Sequence, residues 1–428
     1  MLRRALTALS SPSLLNLIAL TGLVGWAIAF IVHLPSLRSL VDKNGDAVGG
    51  DFIAFYTAGR LINEGQGSRL YDLQLQQVTQ RQILDRPDYA GLNSYVNPPA
   101  LAALLVPLAR LAYLPAYLLY TLLLLCAFLA AMYVLRPHLP ALRQHWFVVV
   151  ALSLMFYPMV VTITGGQNTP ITLLLIAAVY TALRRGRVVL AGLALGLLCY
   201  KPQMALLLCL LLLSRGQFRC VLTAGAVGVG HYLVGAVVCG VRWPFEMLAA
   251  LRTYWPIEDY FNGANSISLL GLCDYALPAA AFMPVGLVAA GLTLAAVLWT
   301  WRRADPRGDA FALYWGMAVC ATLAVSPHTQ WYDVGLVLLV VLPALNYLLT
   351  TGQAIGTGLR VALLLGFFAV PIYPIATHLG WQPLAFLPLL MLLWLLQLTR
   401  RERQPTPDSE AGPEQSRRVR RHSLVAGA

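Results

Sequence analysis

Ten apolar stretches, each long enough for a helix, constrain this chain more than any other feature. They lie at about 14–32, 113–135, 146–163, 169–183, 219–239, 279–300, 310–325, 332–350, 359–377 and 383–399. Only 11% of the residues are charged, against about 25% in soluble domains, so the chain cannot cover a water-facing surface. The sequence therefore predicts an all-α integral membrane protein, folded as one polytopic helical bundle over residues 1–399.

The basic residues predict the orientation of this bundle. If the N-terminal Arg3 and Arg4 are cytoplasmic, twenty of the 30 basic residues fall on the cytoplasmic side, as the positive-inside rule requires. This arrangement needs 188–213 to form two half-helices, 188–200 leading outward and 202–213 returning. It predicts about 12 transmembrane segments with both termini inside. The first apolar stretch has about 19 residues and no A-x-A cleavage site follows it, so it is expected to be a retained N-terminal anchor. The expected location is a bacterial-type inner membrane. Residues 400–428 are expected to be a disordered basic cytoplasmic tail that contacts anionic lipids.

The other polar clusters fall on the opposite, external side. They lie in segments 33–97, 165–168, 200–203, 240–278, 326–333 and 377–382. A site that faces the periplasm or exterior explains this convergence. The long segment 240–278 is rich in aromatic and polar residues, which suits either a lid over an amphiphilic substrate or residues at the membrane interface.

Asp51 follows the first apolar stretch, in the sequence GGDFIAFYTAGR. The helical periodicity that begins at Phe52 places Asp51 at a helix N-cap, which is a common structural use of Asp. The alternative is a functional carboxylate.

The Gln-rich stretch that follows is amphipathic and is expected to lie along the external membrane surface. Asn97 precedes a Pro pair and either caps the short helix within 98–112 or faces the site.

Lys201 interrupts an apolar run of about 26 residues in the sequence LGLLCYKPQMALLL. A charge in such a run faces a water-filled cavity or an anion, or extends to the membrane interface. Pro202 breaks the helix at this point and frees backbone carbonyls that need partners. The functional interpretation is a contact from Lys201 to a phosphate.

Two external turns add further polar side chains. Gly165 and Gly166 permit a sharp return before Gln167 and Asn168, and a tight turn alone would account for the glycines. His328 lies in SPHTQWYD, where it can donate to a phosphate oxygen, shuttle a proton, or serve only as a loop residue.

The basic residues are not interleaved with aromatic residues on a polar domain, which argues against a nucleic-acid partner. The seven cysteines lack metal-ligand spacing. No motif that binds the phosphates of a nucleotide occurs in the sequence. The sequence therefore predicts no cofactor and leaves only a divalent ion open.

Together these elements resemble glycosyltransferase family 87, also called domain of unknown function 2029. The likeness runs over about 49–345 and is carried by the Asp-aromatic-AGR element, GGQN, YKPQ and SPH, in that order. It implies a GT-C-type fold with an extracytoplasmic active site and a polyprenyl-phosphate sugar donor, mannose being the known type. The catalytic acidic residue of the family corresponds to Asp51, the lysine to Lys201 and the histidine to His328.

The resulting hypothesis is sugar transfer from this donor to a hydroxyl of a lipid or glycan acceptor, with inversion. Asp51 acts as the base, and Lys201, His328 and Arg60 contact the donor phosphate. The expected substrate-binding residues are Asn97, Gln167, Asn168, Gln203, Tyr332 and Asp333.

The alternative is a transporter or flippase of an amphiphilic substrate, which a broken helix also suits. The chain shows no internal repeat, and its polar groups collect at one face rather than at the membrane midplane. Both features argue against the transporter.

Overall fold

The computed structural model describes residues 12–33, 39–42, 45–258, 265–354 and 386–401. Within these residues the chain folds into seventeen α-helices, and the extended pairing is limited to two isolated bridges. The helices are α1 Pro12–His33, α2 Phe52–Asn63, α3 Leu73–Leu84, α4 Pro99–Leu105, α5 Tyr113–Leu135, α6 Trp146–Met155, α7 Tyr157–Thr164, α8 Thr169–Arg184, α9 Val188–Leu197, α10 Pro202–Leu213, α11 Phe218–Cys239, α12 Trp243–Glu258, α13 Leu269–Ala276, α14 Ala279–Trp301, α15 Phe311–Val325, α16 Leu338–Thr350 and α17 Leu387–Arg401. The all-helical prediction is confirmed. The predicted stretch 359–377, the external segment 377–382 and most of the tail lie outside the described residues.

The described residues account for only part of the predicted membrane spans. Within the described part of the chain, four helical segments are long and apolar enough to cross a membrane: Tyr113–His138, Phe218–Cys239, Ala279–Trp301 and Trp331–Thr350. A fifth is possible if α6 and α7, which are bent by 64° at their junction, form one broken span. Apart from α1, which has 22 residues, the other apolar helices outside these segments have 10–17 residues. At about 1.5 Å per residue they are shorter than a hydrocarbon core of about 30 Å, so the count of about 12 is not confirmed.

The bend between α6 and α7 explains why the predicted helix over 146–163 is interrupted. Phe156 has an extended backbone between the two helices, and Pro158 lies in the first turn of α7. A proline has no backbone N–H to continue the preceding helix and favours the start of a new one. Helix α7 ends at Thr164 and leads directly into the loop at 165–168.

One end of the bundle collects the basic turns. Arg184 donates from Nη1 to the carbonyl oxygens of Pro306 and Gly308, at 3.2 Å and 2.5 Å. Arg215 donates to the carbonyl oxygen of Arg302 in the same region. These contacts bring the turns after α8, α10 and α14 together, as the positive-inside assignment expects for loops on one side.

The broken helix at Lys201 is confirmed. Helix α9 begins directly after Arg187, at the basic end, and leads through a short 3-10 turn, Leu198–Tyr200, to Lys201. Pro202 then starts α10, which returns to Ser214 and Arg215 at the basic end. At about 1.5 Å per residue α9 rises about 15 Å from the basic turns toward Lys201. Helix α8 rises about 24 Å from Thr169 to Arg184, and Thr169 and Lys201 contact the same Asp333 oxygen, so Lys201 lies on the side of the bundle away from the basic turns.

Helix α3 binds the extended segment at 93–95, on the side of the bundle away from the basic turns. The amides of Gln76 and Gln80 bond the backbone of Tyr95 and Asn93, with Gln76 Oε1 at 2.8 Å from the Tyr95 N–H nitrogen and Gln80 Nε2 at 2.7 Å from the Asn93 carbonyl. Gln76 and Gln80 are four helical residues apart, which is a rise of about 6 Å. Asn93 and Tyr95 are two extended residues apart, which is roughly 6.6 Å, so both Gln side chains can reach their backbone partners at once. Both Gln side chains are buried. The face of α3 that carries Gln76 and Gln80 therefore packs against the protein, and the placement of this helix along the external membrane surface stays a prediction.

The start of α3 is fixed by Asp72. Its Oδ1 accepts from the Leu75 backbone N–H at 3.0 Å, and its Oδ2 pairs with Arg69 at 2.7 Å. The Leu75 hydrogen bond, followed by Arg69, holds the pKa of the Asp72 carboxyl below its usual value.

Candidate active site

A cavity of about 640 Å³ lies at the end of the bundle opposite the basic turns. Nine of the ten residues that the sequence singled out line it. They are Asp51, Asn97, Gln167, Asn168, Lys201, Gln203, His328, Tyr332 and Asp333. These nine residues come from four of the six predicted external segments, and Met247 adds a fifth, 240–278.

Arg60 is the predicted residue that the structure does not bring to this cavity. It lies near the end of α2, and its Nε bonds Glu64 Oε1 at 2.7 Å. Helix α2 starts at the cavity beside Asp51 and runs away from it, so a residue nine positions later is carried out of reach. The proposed contact from Arg60 to a phosphate therefore lacks the geometry it needs.

Asp51 lies at the N-cap position of α2, as its sequence context predicts. Its side chain, however, makes no capping hydrogen bond to the helix. The carboxylate oxygen Oδ2 instead accepts a hydrogen bond from Gln167 Nε2. The Asp51 carboxylate is thus directed at a side chain 116 residues away in the chain rather than at its own helix.

Backbone contacts hold the two loops of this pair together. The Asp51 N–H donates to the Gly165 carbonyl at 3.0 Å, and Asn93 Nδ2 donates to the Gly50 carbonyl at 3.0 Å. Gly166 has φ of +67°, and a Cβ there would lie 2.5 Å from the Cβ of Phe52. A glycine is required at this position for both its left-handed backbone and its close approach to α2.

Lys201 forms a buried ion pair. Its Nζ lies 2.8 Å from Asp333 Oδ1, and the two side chains are 10% and 3% exposed. Thr169 Oγ1 donates to the same oxygen at 3.0 Å. This buried pairing favours the interpretation in which Lys201 faces a cavity over the one in which it extends to the membrane interface. The ammonium group is held in the cavity wall by a carboxylate.

A short pairing of backbones positions His328. The Ile267 N–H donates to the Thr329 carbonyl at 3.0 Å, and the Trp331 N–H donates to the Asn265 carbonyl at 2.9 Å. Ser266 and Gln330 lie opposite each other in this antiparallel bridge. The bridge keeps the SPHTQW loop at the mouth of the cavity, where His328 is half-buried.

Asn97 does not cap the short helix that follows it. The N-cap of α4 is Pro98, and Asn97 instead lines the cavity as part of the extended segment held by α3. Tyr71 fixes its backbone by donating to the Asn97 carbonyl at 2.8 Å. Of the two interpretations of Asn97, the structure favours the one in which its side chain faces the site.

Helices α10 and α12 form an apolar wall of the cavity. Leu206 lines it from α10, and Met247, Leu248 and Leu251 line it from α12. Leu206 is 68% exposed and Leu248 47%, so this wall continues onto the outer surface of the bundle. Segment 240–278 thus contributes part of the cavity wall, and its action as a lid stays a prediction.

Two features of the site were not visible in the sequence. Neither the pairing of Gln167 with Asp51 nor that of Lys201 with Asp333 has a local signal in the sequence, because each joins residues more than 100 positions apart.

Among the described residues no group of three or more His, Cys, Asp or Glu side chains could hold a metal ion.

The family model of glycosyltransferase family 87 matches residues 95–327, more than half of the 428 residues. The chain therefore belongs to this family, and the match favours an enzyme over a transporter. No curated protein and no solved structure matches the chain. The matched region contains Lys201 and the GGQN turn, whereas Asp51 and His328 lie outside it, His328 by a single position.

Proposed function

Since the chain is a member of glycosyltransferase family 87, we propose that it transfers a sugar from a polyprenyl-phosphate donor to an extracytoplasmic hydroxyl with inversion. The sugar is mannose or another hexose or pentose, and the acceptor is a lipid or glycan. The observation that carries this proposal is one cavity that joins the Asp51 carboxylate, the Lys201 ammonium and an apolar wall open to the bundle surface.

Asp51 is the proposed base. Among the described residues that line the cavity the two carboxylates are Asp51 and Asp333, and Asp333 is engaged by the Lys201 ammonium and the Thr169 hydroxyl. Asp51, whose Oδ2 accepts from the Gln167 amide, is the residue that corresponds to the catalytic acidic residue of the family. Asp51 takes the proton of the acceptor hydroxyl, and the acceptor oxygen attacks the anomeric carbon. The bond from that carbon to the phosphate oxygen breaks, and polyprenyl phosphate leaves with the electron pair.

Lys201 and His328 are proposed to meet the charge of the leaving phosphate. An ammonium group has three N–H donors, and Lys201 uses one for Asp333. The other two remain for phosphate oxygens without loss of the ion pair. Because the side chain is shielded from water, its interaction with a developing charge is stronger than it would be at the surface.

The apolar wall supports a lipid-linked donor. Its leucines place apolar surface directly beside the polar groups of the cavity, which suits a substrate with a charged head and a hydrocarbon chain. The basic turns at the other end of the bundle support an external cavity, since such turns are cytoplasmic by the positive-inside rule. The proposed location is therefore an inner membrane with the site facing the periplasm or exterior.

The proposal is tested with purified protein in nanodiscs. Labelled polyprenyl-phosphate mannose and donors with other sugars are offered with a crude lipid and glycan extract, and transfer is compared for wild type, Asp51→Asn and Asp85→Asn. Asp85 is a matched control because it is an exposed external Asp that does not line the cavity, and its left-handed backbone suits Asn. Wild type and Asp85→Asn should transfer the label, and Asp51→Asn should not. Transfer by Asp51→Asn at the wild-type rate would remove Asp51 from the mechanism.

A further inference from the structure

Two tyrosines on one helix hold the two loops that carry Asp51 and Gln167. Tyr113 donates from its hydroxyl to the Val48 carbonyl at 2.6 Å, and Tyr117 donates to the Thr164 carbonyl at 2.6 Å. Both lie on α5, four residues apart, so their side chains project from the same face of the helix. The accepting carbonyls lie three residues before Asp51 and three residues before Gln167.

The packing around these hydroxyls is close. Tyr113 and Tyr117 are 5% and 4% exposed, and both rings contact the ring of Phe52, with centroids 5.5 Å and 5.8 Å apart. A Cβ at Gly49 would lie 2.7 Å from the ring of Tyr117. The chain therefore approaches Asp51 along the surface of this tyrosine, and the position of the loop depends on where the ring lies.

We infer that Tyr113 and Tyr117 are positioning residues, which set the geometry of the Asp51–Gln167 pair from a rigid helix. The two loops are joined to each other by the bond from the Asp51 N–H to the Gly165 carbonyl, but that bond alone fixes only their relative position. The two tyrosines fix both loops to α5, whose 23 residues form the longest helical support in contact with them. The effect of these residues on turnover rests on the proposed role of Asp51 as the base.

The test compares three variants that each remove one hydroxyl. Tyr113→Phe and Tyr117→Phe release one loop each. Tyr56→Phe is the matched control, because Tyr56 belongs to the same aromatic cluster and donates to the Leu111 carbonyl at 2.7 Å, outside the cavity lining. Backbone hydrogen exchange is measured for peptides covering 46–52 and 163–168, together with kcat, the donor KM and the melting temperature.

Tyr113→Phe and Tyr117→Phe should speed exchange in the peptide whose carbonyl each one holds and lower kcat by about 10- to 100-fold, with the donor KM unchanged. Tyr56→Phe should lower the melting temperature by a similar amount and leave both exchange and kcat as in wild type. Equal kcat and exchange in all three variants would overturn the inference, since the hydroxyls would then be merely structural. Faster exchange in the released loop with unchanged kcat would also overturn the inference, whereas loss of the base assignment would show as wild-type transfer by Asp51→Asn.

Discussion

Neutralising Lys201 and Asp333, singly and together, separates the structural role of their ion pair from its catalytic role. At 2.8 Å and an effective dielectric constant of about 20, the attraction between the two charges is about 6 kcal/mol. Lys201→Met or Asp333→Asn alone leaves the other charge buried without its partner, which costs about 3–5 kcal/mol of folding stability. The double variant buries neither charge, so it should regain most of that loss.

Activity should not follow stability in this series. If Lys201 contacts the leaving phosphate, the double variant stays folded but transfers sugar about 10²- to 10³-fold more slowly, equivalent to about 2.7–4 kcal/mol. The assay pairs thermal unfolding in detergent with the single-turnover transfer rate per folded molecule. A double variant with wild-type activity would show that Lys201 is purely structural. Strictly additive losses of stability would show that the two charges are not coupled.

The exposed ion pair of Arg60 and Glu64 provides the control for this experiment. Its N–O distance of 2.7 Å nearly equals that of the buried pair, but the side chains are 33% and 44% exposed. Solvent screening reduces the coupling of such a pair to about 0.3–0.5 kcal/mol. Arg60→Met with Glu64→Gln should therefore change neither stability nor transfer appreciably. A large loss of transfer would restore Arg60 as a candidate phosphate contact.

Three further predictions test the site and its orientation. Gln167→Glu places a second carboxylate beside the proposed base, so transfer should fall and the pH of half-maximal activity should rise, measured as a pH–rate profile. Gly166→Ala should abolish transfer and lower the melting temperature more than Gly216→Ala, since both glycines have positive φ but only the first is crowded by α2; equal effects would refute the crowding. In a variant without native cysteines, a Cys at Thr253 should react with an impermeant reagent added to intact cells, and a Cys at Arg143 should not; the reverse pattern would invert the proposed orientation.

The sequence predicted the elements of the site better than their pairing. The break at Lys201 was predictable because Pro202 cannot continue a helix and a lone charge needs a polar surrounding. The gathering of polar turns at one end followed from the alternation of basic and non-basic loops. That Lys201 pairs with Asp333, 132 residues later, was not predictable, because such a contact depends on how separate helices pack.

The same limit applies to the helices themselves. The count of about 12 spans is not confirmed, because several apolar stretches that were counted as crossings form helices too short to cross alone. The predicted stretch 359–377 lies outside the described residues. Tyr113 and Tyr117 gave no signal, since aromatic residues in an apolar helix are ordinary core residues and only the structure shows their bonds to the loops of the site.

The ion pair suits the proposed reaction because of how charge changes during transfer. The donor carries one negative charge on its phosphodiester, and the leaving polyprenyl phosphate develops a second. Asp333 reduces the positive potential of Lys201 at the phosphate, and it does so equally for both charges. Because the leaving phosphate carries more negative charge than the proposed donor, its attraction to Lys201 grows as the bond breaks. Interactions of that kind raise kcat, whereas equal binding of substrate and transition state does not.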